Sequence, residues 1–303
     1  MDSPAQKTNT VAGLSGPSLL PQRISLSGTV LFQAVVLFVF LTFLYGPVVV
    51  KLVRQWMSDP NYSHGFLVPA GAGFLLWVSR KAWMEEPLEP TTGGLVFIVI
   101  AMGLLVVGTL GAELFLPRVS LCILIGGLVV YFAGWRMLHA VLAPWLVLFL
   151  MIPLPTIVFN QLAFPLQILA SRLACGLLEL LQVPVLREGN VIVLPKMTLD
   201  VVEACSGLRS LMSLITIAVF YGLFFERRAW MRWLLVIVAV PVAVFTNALR
   251  IMIAAVLAQY VNPDLAEGFF HAFSGLLLFV LSLVALAGVQ ILGNQLARKR
   301  MAT

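Results

Sequence analysis

Apolar runs of about twenty residues recur along almost the whole chain, and they constrain its fold more than any other feature. As α-helix, that length crosses the ~30 Å hydrocarbon layer of a bilayer. Hydrophobic residues fill 61% of the 303 positions and charged ones 11%, with a mean hydropathy of +1.02. A water-soluble domain of this size cannot hide so much apolar surface, so lipid must be its solvent. A transmembrane barrel would need alternating polar and apolar positions, which these runs lack. The expected fold is an all-α polytopic membrane protein.

About eight transmembrane helices are expected, near 29–50, 66–79, 93–111, 119–134, 138–152, 207–225, 231–259 and 269–292. Residues 1–28 are polar and rich in Ser, Pro and Gly, and read as a disordered tail. The run that follows is too long for a signal-peptide core and has no A-x-A site after it, so it reads as a retained span. Residues 29–303 then form a single transmembrane domain. The stretch 156–182 is apolar but broken by Asn160, Gln161, Pro165, Gln167, Arg172 and Glu179. It reads as an amphipathic helix at the outer interface, because a span there would reverse everything downstream. Within 183–204, the segment Val185 to Leu194 reads as strand, Glu-Gly-Asn turn, strand: a small β-hairpin cap.

The net charge of +6 orients helices; it does not point to nucleic acid. Placing both termini in the cytoplasm puts Lys7, Arg23, Arg80, Lys81, Arg136, Arg227, Arg228, Arg232, Arg298, Lys299 and Arg300 inside, eleven of the nineteen basic residues. The implied location is a cytoplasmic membrane. Cys122 and Cys175 lie inside apolar stretches and read as small core residues. No CxxC pair or HExxH pattern is present, so neither a metal nor a cofactor is expected.

Chemistry concentrates in Glu203-Ala204-Cys205-Ser206-Gly207-Leu208-Arg209-Ser210, where a polar segment meets an apolar one. A neighbouring cation and a helix N-terminus both stabilise a thiolate. An inert interfacial thiol is the plain alternative. Arg250 lies in Phe245-Thr246-Asn247-Ala248-Leu249-Arg250, flanked by apolar residues. A charge at mid-helix costs at least ~2.5 kcal/mol to insert. Snorkelling is the bland explanation; a polar cavity or anionic partner is the other, with Asn247 on the same face to orient the guanidinium. His271, two residues into the last span, is either an ordinary interfacial histidine or a general base. With this topology Cys205, Arg250 and His271 reach one membrane face from three consecutive helices. The loop Asp59-Pro60-Asn61-Tyr62-Ser63-His64-Gly65 falls on that face too, as a plain turn or as a substrate-positioning loop through Tyr62, Ser63 and His64.

At these residues the chain resembles the exosortase/archaeosortase family of polytopic membrane transpeptidases. The motif around Cys205 carries most of the resemblance, with Asn247-Ala248-Leu249-Arg250 and His271 following in the family's order. The resemblance implies a secreted substrate with a C-terminal tail: a Pro-Glu-Pro-type motif, a transmembrane helix and a basic cluster. Cleavage near the motif would transfer the new carboxyl end to a cell-envelope acceptor, in systems that often accompany exopolysaccharide production. Cys205 would be nucleophile, His271 base and Arg250 oxyanion partner, with Glu203, Ser206, Arg209 and Asn247 supporting them. Arg209 remains an alternative oxyanion partner. A transporter, which would also hold an intramembrane Arg, and a hydrolase releasing its product to water are the competing functions.

Overall fold

The computed structural model describes residues 28–200, 207–261 and 269–302. The chain divides into a unit ending at Leu44 and a second from Tyr45 onward. Helix α1, Gly28–Ser58, straddles that boundary. Its part in the first unit turns apolar side chains outward, with Phe43 83% exposed, as a lipid-facing helix does.

In the second unit a 3-10 turn, Pro60–Phe66, leads into α2, Leu67–Val78. Asp59 caps the turn by accepting a hydrogen bond from the Asn61 amide at 2.9 Å, and Pro60 takes the first position, where no amide donor is needed. Short helix α3, Arg80–Met84, follows. Helices α4, Gly94–Leu110, and α5, Phe115–Ala133, pair closely through glycines. A Cβ on Gly94 would meet the Tyr131 amide nitrogen at 2.4 Å, and one on Gly108 would meet the Pro117 ring at 2.3 Å. Small residues of this kind let membrane helices touch backbone to backbone.

The stretch expected as one span at 138–152 is broken into α6, Trp135–Ala140, α7, Leu142–Val147, and a 3-10 turn, Leu148–Met151. Gly134 opens it with φ +91°, a conformation only glycine adopts cheaply, and a Cβ there would strike the Glu89 carbonyl at 2.3 Å. Pro144 lies inside α7 and removes a further amide donor. Two indoles tie this run to its neighbours: Trp56 Nε1 donates to the Met151 carbonyl at 3.0 Å, and Trp145 Nε1 to the Cys122 carbonyl of α5 at 2.8 Å.

Helix α8, Thr156–Leu180, covers the stretch read as amphipathic. Among the described residues it is one of six helices long and apolar enough to cross a membrane, and its hydropathy of 1.3 is the lowest of the six. Three antiparallel strands follow: β1, Leu186–Glu188, β2, Val191–Val193, and β3, Thr198–Asp200. Glu188 pairs with Val191 across a two-residue turn, with Gly189 at φ +67° in its first position, as a type II′ turn requires. The expected hairpin is therefore present, and a third strand adds to it through Ile192 opposite Leu199.

Three long helices complete the unit: α9, Gly207–Phe225, α10, Ala229–Tyr260, and α11, Phe269–Ala302. Helix α8 runs parallel to α10. Ala163 and Gln167 share a small gap with Ala243 and Asn247, and further along Ala170, Ala174 and Leu178 share one buried cluster with Ala248, Ile251, Ala255 and Ala258. The same cluster takes in Ile192, Leu194 and Leu199, so the sheet rests on the far ends of α8 and α10. Ser171 fastens it by donating to the Gly189 carbonyl at 3.2 Å.

Candidate active site

The register of α9, α10 and α11 fixes what can meet at the sheet end. Helices α9 and α10 run antiparallel: Gly222 faces Arg232 near one end, while Ser210 and Leu214 share a gap with Ala243, Asn247 and Arg250 near the other. Helix α11 is antiparallel to α10 as well. Met231 packs on Gly293, and Ser282 Oγ donates to Thr246 Oγ1 at 3.2 Å in a buried contact. These contacts leave Arg250 level with the first turn of α9 and with Gly275 of α11. A Cβ on Gly275 would lie 3.2 Å from the guanidinium carbon and from Nη2. The absent side chain is what gives the guanidinium its room.

Glu203, Cys205 and Ser206 lie outside the described residues. Their neighbours on both sides are described: β3 ends at Asp200 and α9 begins at Gly207. His271 falls in the first turn of α11, one helical turn before Gly275 on the same face of the helix; its side chain lies outside the described ones. Asn247 is buried at 7% exposure, and its Oδ1 has no hydrogen-bond partner among the described residues. It lines both the gap that holds Arg250 and the adjoining one beside Leu208 and Gln167. Arg209 is exposed at the top of α9.

The loop of Tyr62, Ser63 and His64 packs against a different face of α9. His64 and Ser63 share a cleft with Ser213 and Thr216, whereas Arg250 looks toward Ser210 and Leu214. The loop and the guanidinium thus stand on two sides of one helix. Tyr62 donates to the Leu154 carbonyl at 3.4 Å and meets Phe159 in a tilted ring contact. Burial, reinforced by Asp59, pushes its hydroxyl up to about 12 against the opposing pull of Arg118. Burial also holds the His64 imidazole below its ordinary value, outweighing the backbone of Leu150 and Asn61. Its Nδ1 has no partner among the described residues. No group of three His, Cys, Asp or Glu suited to a metal occurs among the described residues.

Two contributors escape a reading of the sequence. Gly275 is one of many glycines in apolar helices, and only the α10–α11 register shows that it clears space for Arg250. Thr246 and Ser282, thirty-six residues apart, carry no local sign that they will meet.

Comparison with known proteins identifies a family. The family model described as transmembrane exosortase matches residues 56–288. No curated protein and no solved structure matches the chain. The matched stretch opens at Trp56, beside the capped loop, and runs through α9, α10 and most of α11. A polytopic helical chain matched over most of its length in this way is a membrane transpeptidase of the exosortase type: it belongs to the transmembrane exosortase family.

Proposed function

We propose that this protein cleaves a C-terminal sorting tail of the Pro-Glu-Pro type from secreted proteins and passes the new carboxyl end to a cell-envelope acceptor through a thioester on Cys205. The observation that carries the reading is the common level of three helices: the guanidinium of Arg250, the first turn of α9 two residues beyond Cys205, and Gly275 one turn from His271. In the proposed reaction the Cys205 sulfur attacks the scissile carbonyl as thiolate. The sulfur–carbon bond forms as the carbonyl opens to an oxyanion opposite Arg250. His271 takes the thiol proton and returns it to the leaving amine as the peptide bond breaks. An acceptor amine or water then resolves the thioester. Asn247 orients the Arg250 guanidinium, with Arg209, Glu203 and Ser206 supporting the nucleophile.

The same reading puts the sheet end on the outer face of a bacterial inner membrane, with both termini in the cytoplasm. The charge bias of the loops supports it. The decisive experiment expresses Cys205→Ala and Cys205→Ser enzymes beside a tailed substrate. Both variants are expected in the membrane with no processing; processing by the alanine variant refutes the mechanism. Mass analysis of the mature substrate C-terminus separates transfer from hydrolysis, since an added group marks the first and a free carboxylate the second.

A further inference from the structure

The face of α9 next to the one that meets Arg250 forms the floor of a cleft of about 640 Å³. Helix α2 supplies one wall and Phe279 of α11 the other. The floor is Ser213, Thr216, Phe220 and Phe224, which repeat at helical spacing along one stripe. On α2, Gly71 keeps the wall close: a Cβ there would meet Phe220 at 2.4 Å. We infer that this cleft is the docking groove for an apolar transmembrane helix of the substrate, entering laterally from the lipid. The inference rests on the proposed function and adds where that partner binds.

Three observations favour a helix over a lipid chain. The groove adjoins the chamber that holds Arg250, because Phe279 lines both spaces. A helix seated there would hand the chain at its outer end directly to the first turn of α9. Next, Arg209 continues the floor stripe one turn past Ser213 and is exposed, so the groove ends under a cation. That charge complements a carboxylate set just outside an apolar helix, as in a Pro-Glu-Pro-type motif. Finally, Ser63, His64, Ser213 and Thr216 give the outer half a polar lining that an acyl chain cannot use but a peptide can. Another cleft offers a contrast. Between Leu146, Val219, Leu223 and Trp233, it lies toward the opposite end of α9 and shares no lining residue with the Arg250 chamber.

Photo-crosslinking tests the assignment. The full-length Cys205→Ala enzyme would carry p-benzoylphenylalanine, a larger aromatic, in place of Phe220 or Phe224, or in place of Leu146 as control, with melting in detergent confirming that each variant stays folded. The probe is a reporter protein ending in Pro-Glu-Pro, an apolar helix of ~20 residues and a Lys/Arg cluster. Adducts with the reporter's apolar helix at positions 220 and 224, at least tenfold above position 146, are expected. Adducts only at 146, adducts with lipid alone, or no reporter adduct at 220 and 224 would overturn the groove. The crosslink is read on an enzyme unable to form a thioester, so it fails or succeeds apart from the processing assay that tests Cys205.

Discussion

The two halves of the second unit solve the same problem in opposite ways. Helices α9, α10 and α11 are long and unbroken, and they are held in register by small residues and by the Thr246–Ser282 bond. The run from the capped loop through α2 to the turn ending at Met151 is short and repeatedly interrupted. It relies on side chains reaching across to backbone carbonyls, as Trp56 and Tyr62 do. The continuous half can hold three distant residues at one height, because a helix rises a fixed 1.5 Å per residue. The interrupted half gives up that ruler and gains a concave wall instead. One half is suited to fixing a reacting geometry, the other to receiving a partner.

Substitutions that strike one half and spare the other sharpen this contrast. Arg250→Ala should have the largest effect, lowering the processing rate by ~10²–10³, the usual cost of one oxyanion donor, while the protein stays in the membrane. A rate within a few-fold of the parent would move the oxyanion role to Arg209. Gly94→Ala should act on structure alone. Its new methyl meets the Tyr131 backbone at 2.4 Å, which cannot rotate away, so a loss of ~1–3 kcal/mol is expected for overpacking. Thermal unfolding in detergent should show it, with activity per folded molecule unchanged.

Thr246→Val removes the bond to Ser282 and should cost about 0.6 kcal/mol, the average for such bonds between membrane helices. A change in processing larger than in stability would mean that the bond also sets the height of Arg250. The smallest effect concerns His64. Its folded value lies below its unfolded one, so it contributes stability that is complete above pH ~6.5 and declines as pH falls toward the folded value. His64→Gln should flatten that acid limb in a melting series. An unchanged acid limb would locate the dependence in another group.

The sequence disclosed the architecture wherever the signal was local. Gly189-Asn190 announced the turn between β1 and β2, and Asp59-Pro60 announced the capped loop. Strand β3 was missed because three residues ending in Asp200 carry no alternation to read; only pairing with β2 makes them a strand. The divisions inside 138–152 were missed for a similar reason. A short apolar run with one proline reads equally well as a single span, although here it is split at Val141 and again at Leu148. The direction of α8 depended on an alanine stripe meeting a second one on α10, a tertiary match that hydropathy does not encode. For the proposed site, residue types, order and a common membrane face were read from the sequence. The surroundings of Arg250 were not, since they follow from which residues of α10 face Gly275 and Ser282.

Helix α10 spans 32 residues, about 48 Å at 1.5 Å each, well beyond the ~30 Å of hydrocarbon in a bilayer. Its surplus at the sheet end is clad in protein by α8 and the three strands. Arg250 therefore takes its elevation from that cladding, and the lipid does not set it. A thicker or thinner bilayer would tilt the peripheral helices, yet the guanidinium would keep its distance from the strands above, so the chemistry should tolerate changes in lipid composition better than the docking of a partner does.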